Sequence, residues 1–538
     1  MKVKIKMSKD EKIDFSRRNF LKTVGTAVVG LAVGAGIGYG VYPTINPSGA
    51  EKTVTITTGE GPGGITSIPV EGKEPHERLM NAMKFVVERD GLKGKDFTLM
   101  HPGGGSACYA AVKEEFESET GLSFVNAEVP LNEIFDKAML EAVSKTGDYD
   151  AFSLQPMMLG DIAESGLVIP LDDYIKWFDS RFHGLPDGYI YPLDYIMAEY
   201  KGKKYLTPQD GDVQALYVRT DLLNDPANQD SFETQYGYPL KPANTIQEYW
   251  NHGEFFNNPD EDFYGIVEFR SAERCYMVWF IYYTSMKYPN MLPFDENMEP
   301  LIDSDEGIQA TKEFVESLKY MPSETPSWDW QVGYQMYSGG QIFTSMNFPS
   351  LSNMNNNPEI SKIIGKWSAE IIPGHKVKGP DGKEIILRRS VQGAGWGILV
   401  SNYSKMKDFA ALWALWFTSP EKSSIAVSYP ASWMDPTRYN HVGPNADERV
   451  IKARGPILQN FEQNASICAP VVSGIRGCFE YNTTLSRNLH ATMSGTMDPT
   501  ECMERTAEEW NDVTERIGRE KQVDAWKDFM KTYPTTII

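Results

Sequence analysis

Cysteine and histidine are scarce, five and seven in 538 residues. No Cys-x-x-Cys pair occurs, and the histidines, from His76 to His490, are scattered, so neither a zinc site nor a histidine-based metal centre is indicated. The Gly-rich turn "HPGGGSACYAAVKEE" holds neither a Gly-x-x-x-x-Gly-Lys-Ser/Thr nor a Gly-x-Gly-x-x-Gly phosphate loop, and the chain has no Gly-x-Ser-x-Gly elbow or His-Glu-x-x-His helix. Those gaps leave no reason to expect a metal or a cofactor. Positive charge is also short: 52 Lys and Arg face 73 Asp and Glu, a net charge of −21. Such acidity speaks against nucleic acid and anionic lipid as partners. A transmembrane helix needs about 20 strongly apolar residues. The uncharged stretch 24–41 is rich in glycine and so only weakly hydrophobic.

That stretch follows a basic segment, with eight Lys and Arg against three Asp and Glu in residues 1–22. A positive n-region followed by an apolar run marks an exported protein. "SRRNFLK", with Arg17 and Arg18, resembles the twin-arginine signal, which the Tat translocase reads as an address. The Ala-x-Ala cleavage pattern is poor, so the segment 1–41 is expected either to be removed or to stay as an N-terminal anchor. Residues 42–95 read as a Pro/Gly/Ser/Thr-rich linker, then a short amphipathic helix, "HERLMNAMKFVVERD", ahead of the main body. Cys468 and Cys478 lie ten residues apart and could either form a disulfide in an oxidising compartment or remain buried thiols.

The body opens with alternating strands and helices. "KDFTLMHP", "LSFVNAEVP" and "YDAFSLQP" are strand-like, and "YAAVKEEFESETG" and "LNEIFDKAMLEAVSKTG" are helical. This order predicts an α/β fold with a parallel sheet, whose ligands sit at the carboxyl ends of its strands. The turn "GGGSA" exposes N–H groups that could hold a ligand oxygen, or it simply joins strand to helix. The run "CYMVWFIYYTSM" reads as a core helix rather than a tyrosine ligand pair. A chain this long exceeds the roughly 250–300 residues at which single cores stop growing, so at least two lobes are expected.

Several stretches, in order, resemble the family 1 extracellular solute-binding proteins of ABC transporters, the maltose-binding-protein-like group. They are "YDAFSLQPMMLGDIAESGLVIPLDDYI" (149–175), "YKGKKYLTPQDGDVQALYVRTDLLND" (200–225), "MYSGGQIFTSMNFPS" (336–350), "VQGAGWGILVSNYSKMKDFAALWALWFTSPEKS" (391–423) and "MSGTMDPTECMERTAEEWNDV" (493–513). The resemblance implies a class II periplasmic-binding-protein fold. Each of its two lobes is a mixed β-sheet flanked by helices, and the ligand cleft lies between them. Lobe one would comprise 96–212 plus 386–430, and lobe two 213–385 plus 431–530. It also implies a receptor rather than an enzyme, one that delivers a sugar, oligosaccharide or polyol to a membrane permease from the periplasm or the outer face of the cell membrane. The acidic composition, with 12% aromatic residues, suits hydroxyl-bonding carboxylates and ring-stacking aromatics.

The same resemblance points to ligand-binding candidates. His101 and Ser106 flank the first turn, and Gln155 and Met158 follow the third strand. Asp210 and Asp212 open the first crossover, Asp212 on a position that carries a carboxylate in sugar binders. Asn347, Phe348 and Ser350 form a lobe-two turn, where Ser350 stands at a position the family often fills with a stacking Trp. Trp396, flanked by Gly395 and Gly397, offers a platform near the hinge, and Tyr429 and Trp433 follow the helix that ends lobe one. The rival class is a Tat-exported enzyme. An oxidoreductase would need the fingerprints missing above, and a glycosidase would need a carboxylate pair about 5–10 Å apart.

Overall fold

The computed structural model describes residues 65–538, apart from 179–180 and 444–445. Arg17, Arg18 and the export segment lie outside the described residues. Eleven strands matter for the site. They are β1 (Asp96–Pro102), β2 (Ser123–Val129), β3 (Ala151–Leu154), β4 (Thr207–Asp210), β5 (Ala215–Arg219), β6 (Tyr264–Ile266), β7 (Ile342–Asn347), β8 (Trp367–Glu370), β9 (Ser390–Gln392), β10 (Trp396–Val400) and β11 (Cys468–Pro470).

Two mixed sheets result. The first has the order β2-β1-β3-β10-β4, with β1, β2 and β3 parallel and β10 antiparallel to β3 and β4. The second has the order β8-β5-β7-β6, in which β6 and β7 are parallel and the other pairs antiparallel. The first three strands and their crossover helices, Ser106–Thr120 and Ile134–Ser144, fall where the apolar patterning puts them. Each sheet carries its own helices, which gives the two-lobed α/β architecture.

The helix Pro75–Arg89 is not a separate piece ahead of the body. Leu79, Ala82, Met83 and Val86 are fully buried, and the helix packs along Lys407–Phe417 in the first lobe. Leu79, Met83 and Val86 each contribute about 1.5–3 kcal/mol of burial, so this segment belongs to the lobe-one core. The run at 275–284 is a wholly buried helix, as its composition demands. Residues 386–392, expected with the first lobe, pair elsewhere. Strand β9 runs parallel to β11 and packs on the helix Cys275–Thr284, so the return to the first sheet begins only at Trp396.

Cys468 and Cys478 do not form a disulfide: all five cysteines are buried free thiols. Cys468 is fixed in β11, whereas Cys478 opens the helix Cys478–Met493 and donates to the Ile475 carbonyl at 2.9 Å. Among the described residues, no helix is long and apolar enough to cross a membrane.

Candidate functional site

Three chain segments connect the two sheets, and they run side by side. The first is 211–214, between β4 and β5. The second arrives through β9 and the Gly-Ala-Gly turn ahead of β10, bridging Gln392 to Val213. The third, 429–443, follows the helix Pro420–Ser428 of the first lobe on the way to the helices Glu448–Arg454 and Ile457–Ser466 of the second. Backbones approach closely here. A methyl at Gly211 would strike the Pro436 carbonyl, and Gly395 has φ 61 with the Asp210 carbonyl and the Gln392 amide against its Cα. Only glycine meets both demands at 395.

Each segment contributes acceptors or rings to one spot. Asp210, Asp212 and Asp435 are all buried, and one carboxylate oxygen from each lies within 4.8 Å of the others. Asp212 adopts a left-handed φ of 44, which turns its side chain toward its neighbours instead of continuing the strand. Its Oδ2 accepts from the Gly395 N–H at 2.7 Å, and Asp210 Oδ1 accepts from the Asp435 N–H at 2.7 Å. Neither oxygen of Asp435 has a hydrogen bond of ordinary geometry. The buried Arg454 guanidinium stands 3.6 Å from its Oδ1. Arg454 is itself held by the Val427 carbonyl at 3.0 Å and by the Met434 carbonyl.

Burial pushes all three carboxyls above the ordinary aspartate range. For Asp210 the charges of Asp212 and then Asp435 add to the rise, and for Asp435 that of Asp212 does, while Arg454 opposes it in both. That shift favours the protonated form, in which a carboxyl can donate as well as accept a hydrogen bond. The three carboxylates are also the set among the described residues that could hold a hard cation. Arg454 beside Asp435 and the N–H groups already on Asp210 and Asp212 favour hydrogen-bonding to hydroxyls over metal ligation.

The aromatic wall is Trp396 against Trp433, centroids 6.0 Å apart at 66°. Trp396 pairs with Asp210 in the sheet, next to a register shift before Gly397. On the second-lobe side, Ser350 Oγ lies 2.8 Å from the Tyr334 hydroxyl, and Asp435 and Asp212 both act on Tyr334. Phe348 packs on Phe269 at 5.2 Å, and its carbonyl accepts from Tyr217 at 3.0 Å. Asn347 caps this turn, accepting from the Phe348 N–H at 2.8 Å.

The structure thus brings together Asp210, Asp212, Trp396 and Trp433, with Ser350 and Phe348 on the adjoining turn. Other candidates are committed elsewhere. His101 is fully buried, within 3.0 Å of both the Pro102 carbonyl and the Asn126 amide. Ser106 hydrogen-bonds Glu128. Gln155 and Met158 are buried around a short turn whose Met157 sulfur accepts from Tyr276 and Asn482 of the other lobe, both at 3.6 Å. Tyr429 ends the helix Pro420–Ser428 and is half-buried. Sequence reasoning missed Asp435, Arg454 and Tyr334. Asp435 follows Trp433 by two residues, whereas nothing local marks Arg454.

A family model for bacterial extracellular solute-binding proteins matches residues 111–429. A probable amino-acid ABC transporter periplasmic-binding protein of Sinorhizobium fredii is 23% identical over 330 residues, 60% of this chain and 68% of that one. Solved structures of similar fold include an ABC transporter solute-binding protein of Agrobacterium radiobacter in complex with ribitol. It has a TM-score of 0.65 and 18% identity, covering 78% of this chain and 99% of that one. Maltose-bound MalE3 of T. maritima has a TM-score of 0.62 and 17% identity, covering 78% and 100%. A mannitol-bound solute-binding protein of Agrobacterium vitis has a TM-score of 0.62 and 15% identity, covering 79% and 99%.

Proposed function

The chain belongs to the bacterial extracellular solute-binding proteins, and from that premise we propose that it is the receptor of an ABC importer for a neutral polyhydroxylated solute, a sugar or polyol. The observation that carries this reading is the meeting of three buried carboxyls and two tryptophans where the three inter-lobe segments converge. Carboxyls that both accept and donate match the alternating character of sugar hydroxyls. Trp433 and Trp396 offer faces for the C–H side of a ring. Because the site is made of the connecting segments, a ligand held there contacts what must bend when the lobes move, and its differential affinity favours one state.

The ribitol, mannitol and maltose bound by proteins of similar fold support the ligand class. We assign lobe one to 96–212 and the return through 430, with the helix Pro75–Arg89 added, and lobe two to 213–385 and 431–530 with β9 included. Export through the Tat translocase, directed by Arg17 and Arg18, with 1–41 cleaved or kept as an anchor, completes the reading. A permease in the membrane receives the loaded protein.

A second reading has one observation in its favour. The Sinorhizobium relative is named for amino acids, and Arg454 beside the aspartates presents both charges that a zwitterion needs. A thermal-shift panel of sugars, polyols and amino acids decides between them. Stabilisation by sugars or polyols alone supports the proposal, and stabilisation by amino acids alone replaces it.

A further inference from the structure

Apart from the three aspartates, a groove of about 310 Å³ lies between residues 191–202 of the first lobe and the C-terminal part of the second. Its size is at the lower end of the roughly 300–1,000 Å³ usual for ligand pockets. Tyr191 and Tyr195 line it, 45% and 39% exposed, with centroids 5.8 Å apart and planes at 69°. They form a right-angled corner. Single exposed aromatics are ordinary, but two in a concave site are not scattered surface.

The corner is rigidly mounted. Buried Arg438 donates to the Arg181 and Asp187 carbonyls at 3.0 and 3.1 Å and lies 3.9 Å over the Tyr189 ring. The Ile190 N–H donates to the Thr437 carbonyl at 2.9 Å, and that of Tyr191 to the Tyr439 hydroxyl at 3.4 Å. His183, held by Asp194, stacks on one face of Tyr195. Phe529, Asp528, Lys531 and Lys201 also line the groove. Donors and acceptors of both charges around an aromatic corner fit the hydroxyls and C–H face of a sugar ring.

We propose that this groove is a second saccharide site, taking one pyranose ring of a neutral sugar against Tyr191 and Tyr195. The ligand class rests on the reading above; the place rests on the groove alone. Saturation-transfer NMR with maltotriose and xylotriose on the full protein tests it, with calorimetry reporting the tight site in parallel. Wild type and Asp212→Asn should both show transfer, and Tyr191→Ala/Tyr195→Ala should lose it at least tenfold while keeping tight binding. Equal transfer in the double variant, or none in Asp212→Asn, overturns the second site. If the double variant keeps all sugar signals but loses permease-coupled uptake, the corner docks a protein and the proposal falls. Absence of tight binding for every sugar would sink the receptor reading, while the wild-type against double-variant comparison still decides the groove.

Discussion

Replacing Asp435 with Asn should stabilise the ligand-free protein at neutral pH, although it alters a fully buried polar residue. Its carboxylate lies within 4.8 Å of those of Asp210 and Asp212. At that distance two charges repel by about 3–4 kcal/mol at an effective dielectric near 20. Against both repulsions stands Arg454 at 3.6 Å, an attraction of about 4–5 kcal/mol on the same scale. Full ionisation would leave roughly 2–3 kcal/mol in favour of the amide. Proton sharing among the raised acids makes the gain smaller than full ionisation would give.

The sign follows from linkage. Folded-state pKa values above the unfolded ones mean that the folded protein holds extra protons. That stability is complete below the ordinary aspartate range and is lost as pH rises through the raised values. His252 and His441, whose burial lowers each to about 3, act oppositely. Their contribution is present above the ordinary histidine value and lost as pH falls toward 3, but both proteins share it. Urea unfolding of wild type and Asp435→Asn at pH 5 and pH 8 isolates the difference. The variant should gain on wild type between the two pH values. A loss of 2 kcal/mol or more at pH 8, with an unchanged pH slope, would refute the electrostatic reasoning.

Trp433→Ala should weaken binding of the preferred sugar about tenfold by calorimetry, in line with the ~0.5–1.5 kcal/mol of a stacked aromatic contact, with little change in unfolding. Gly160→Ala places a methyl against the Ile475 carbonyl, beside Asp161, which accepts from the Gly477 N–H of the other lobe at 2.8 Å. Overpacking of ~1–3 kcal/mol there should favour open lobes, seen as a larger radius of gyration in X-ray scattering. Denatured, unreduced protein should take up alkylating reagent on all five cysteines; mass spectrometry showing only three modified would restore the disulfide.

Local patterning carried much of the architecture. The three opening strands and the helix Cys275–Thr284 could be read directly, because period and composition there reflect burial within one element. Pairing between distant segments could not. That β9 joins β11 rather than the first sheet, and that Pro75–Arg89 packs into lobe one, depends on partners more than 70 residues away. The site divides in the same way. Asp210, Asp212, Trp396 and Trp433 entered as candidates through the family resemblance, which places them on the connecting segments. Arg454, at the end of an ordinary helix, carries no local mark and becomes relevant only when the third segment folds against the first. His101 and Ser106 show the reverse: ligand-like residues at a strand end whose hydrogen bonds are taken up within their own lobe.

The central claim is that the convergence of the three segments binds a neutral polyhydroxylated solute. Isothermal calorimetry of sugars, polyols and amino acids against wild type and Asp212→Asn measures it directly. One-site binding of a sugar or polyol to wild type, lost at least tenfold in Asp212→Asn, is the expected result. Binding of an amino acid alone, or sugar binding indifferent to Asp212, would contradict it.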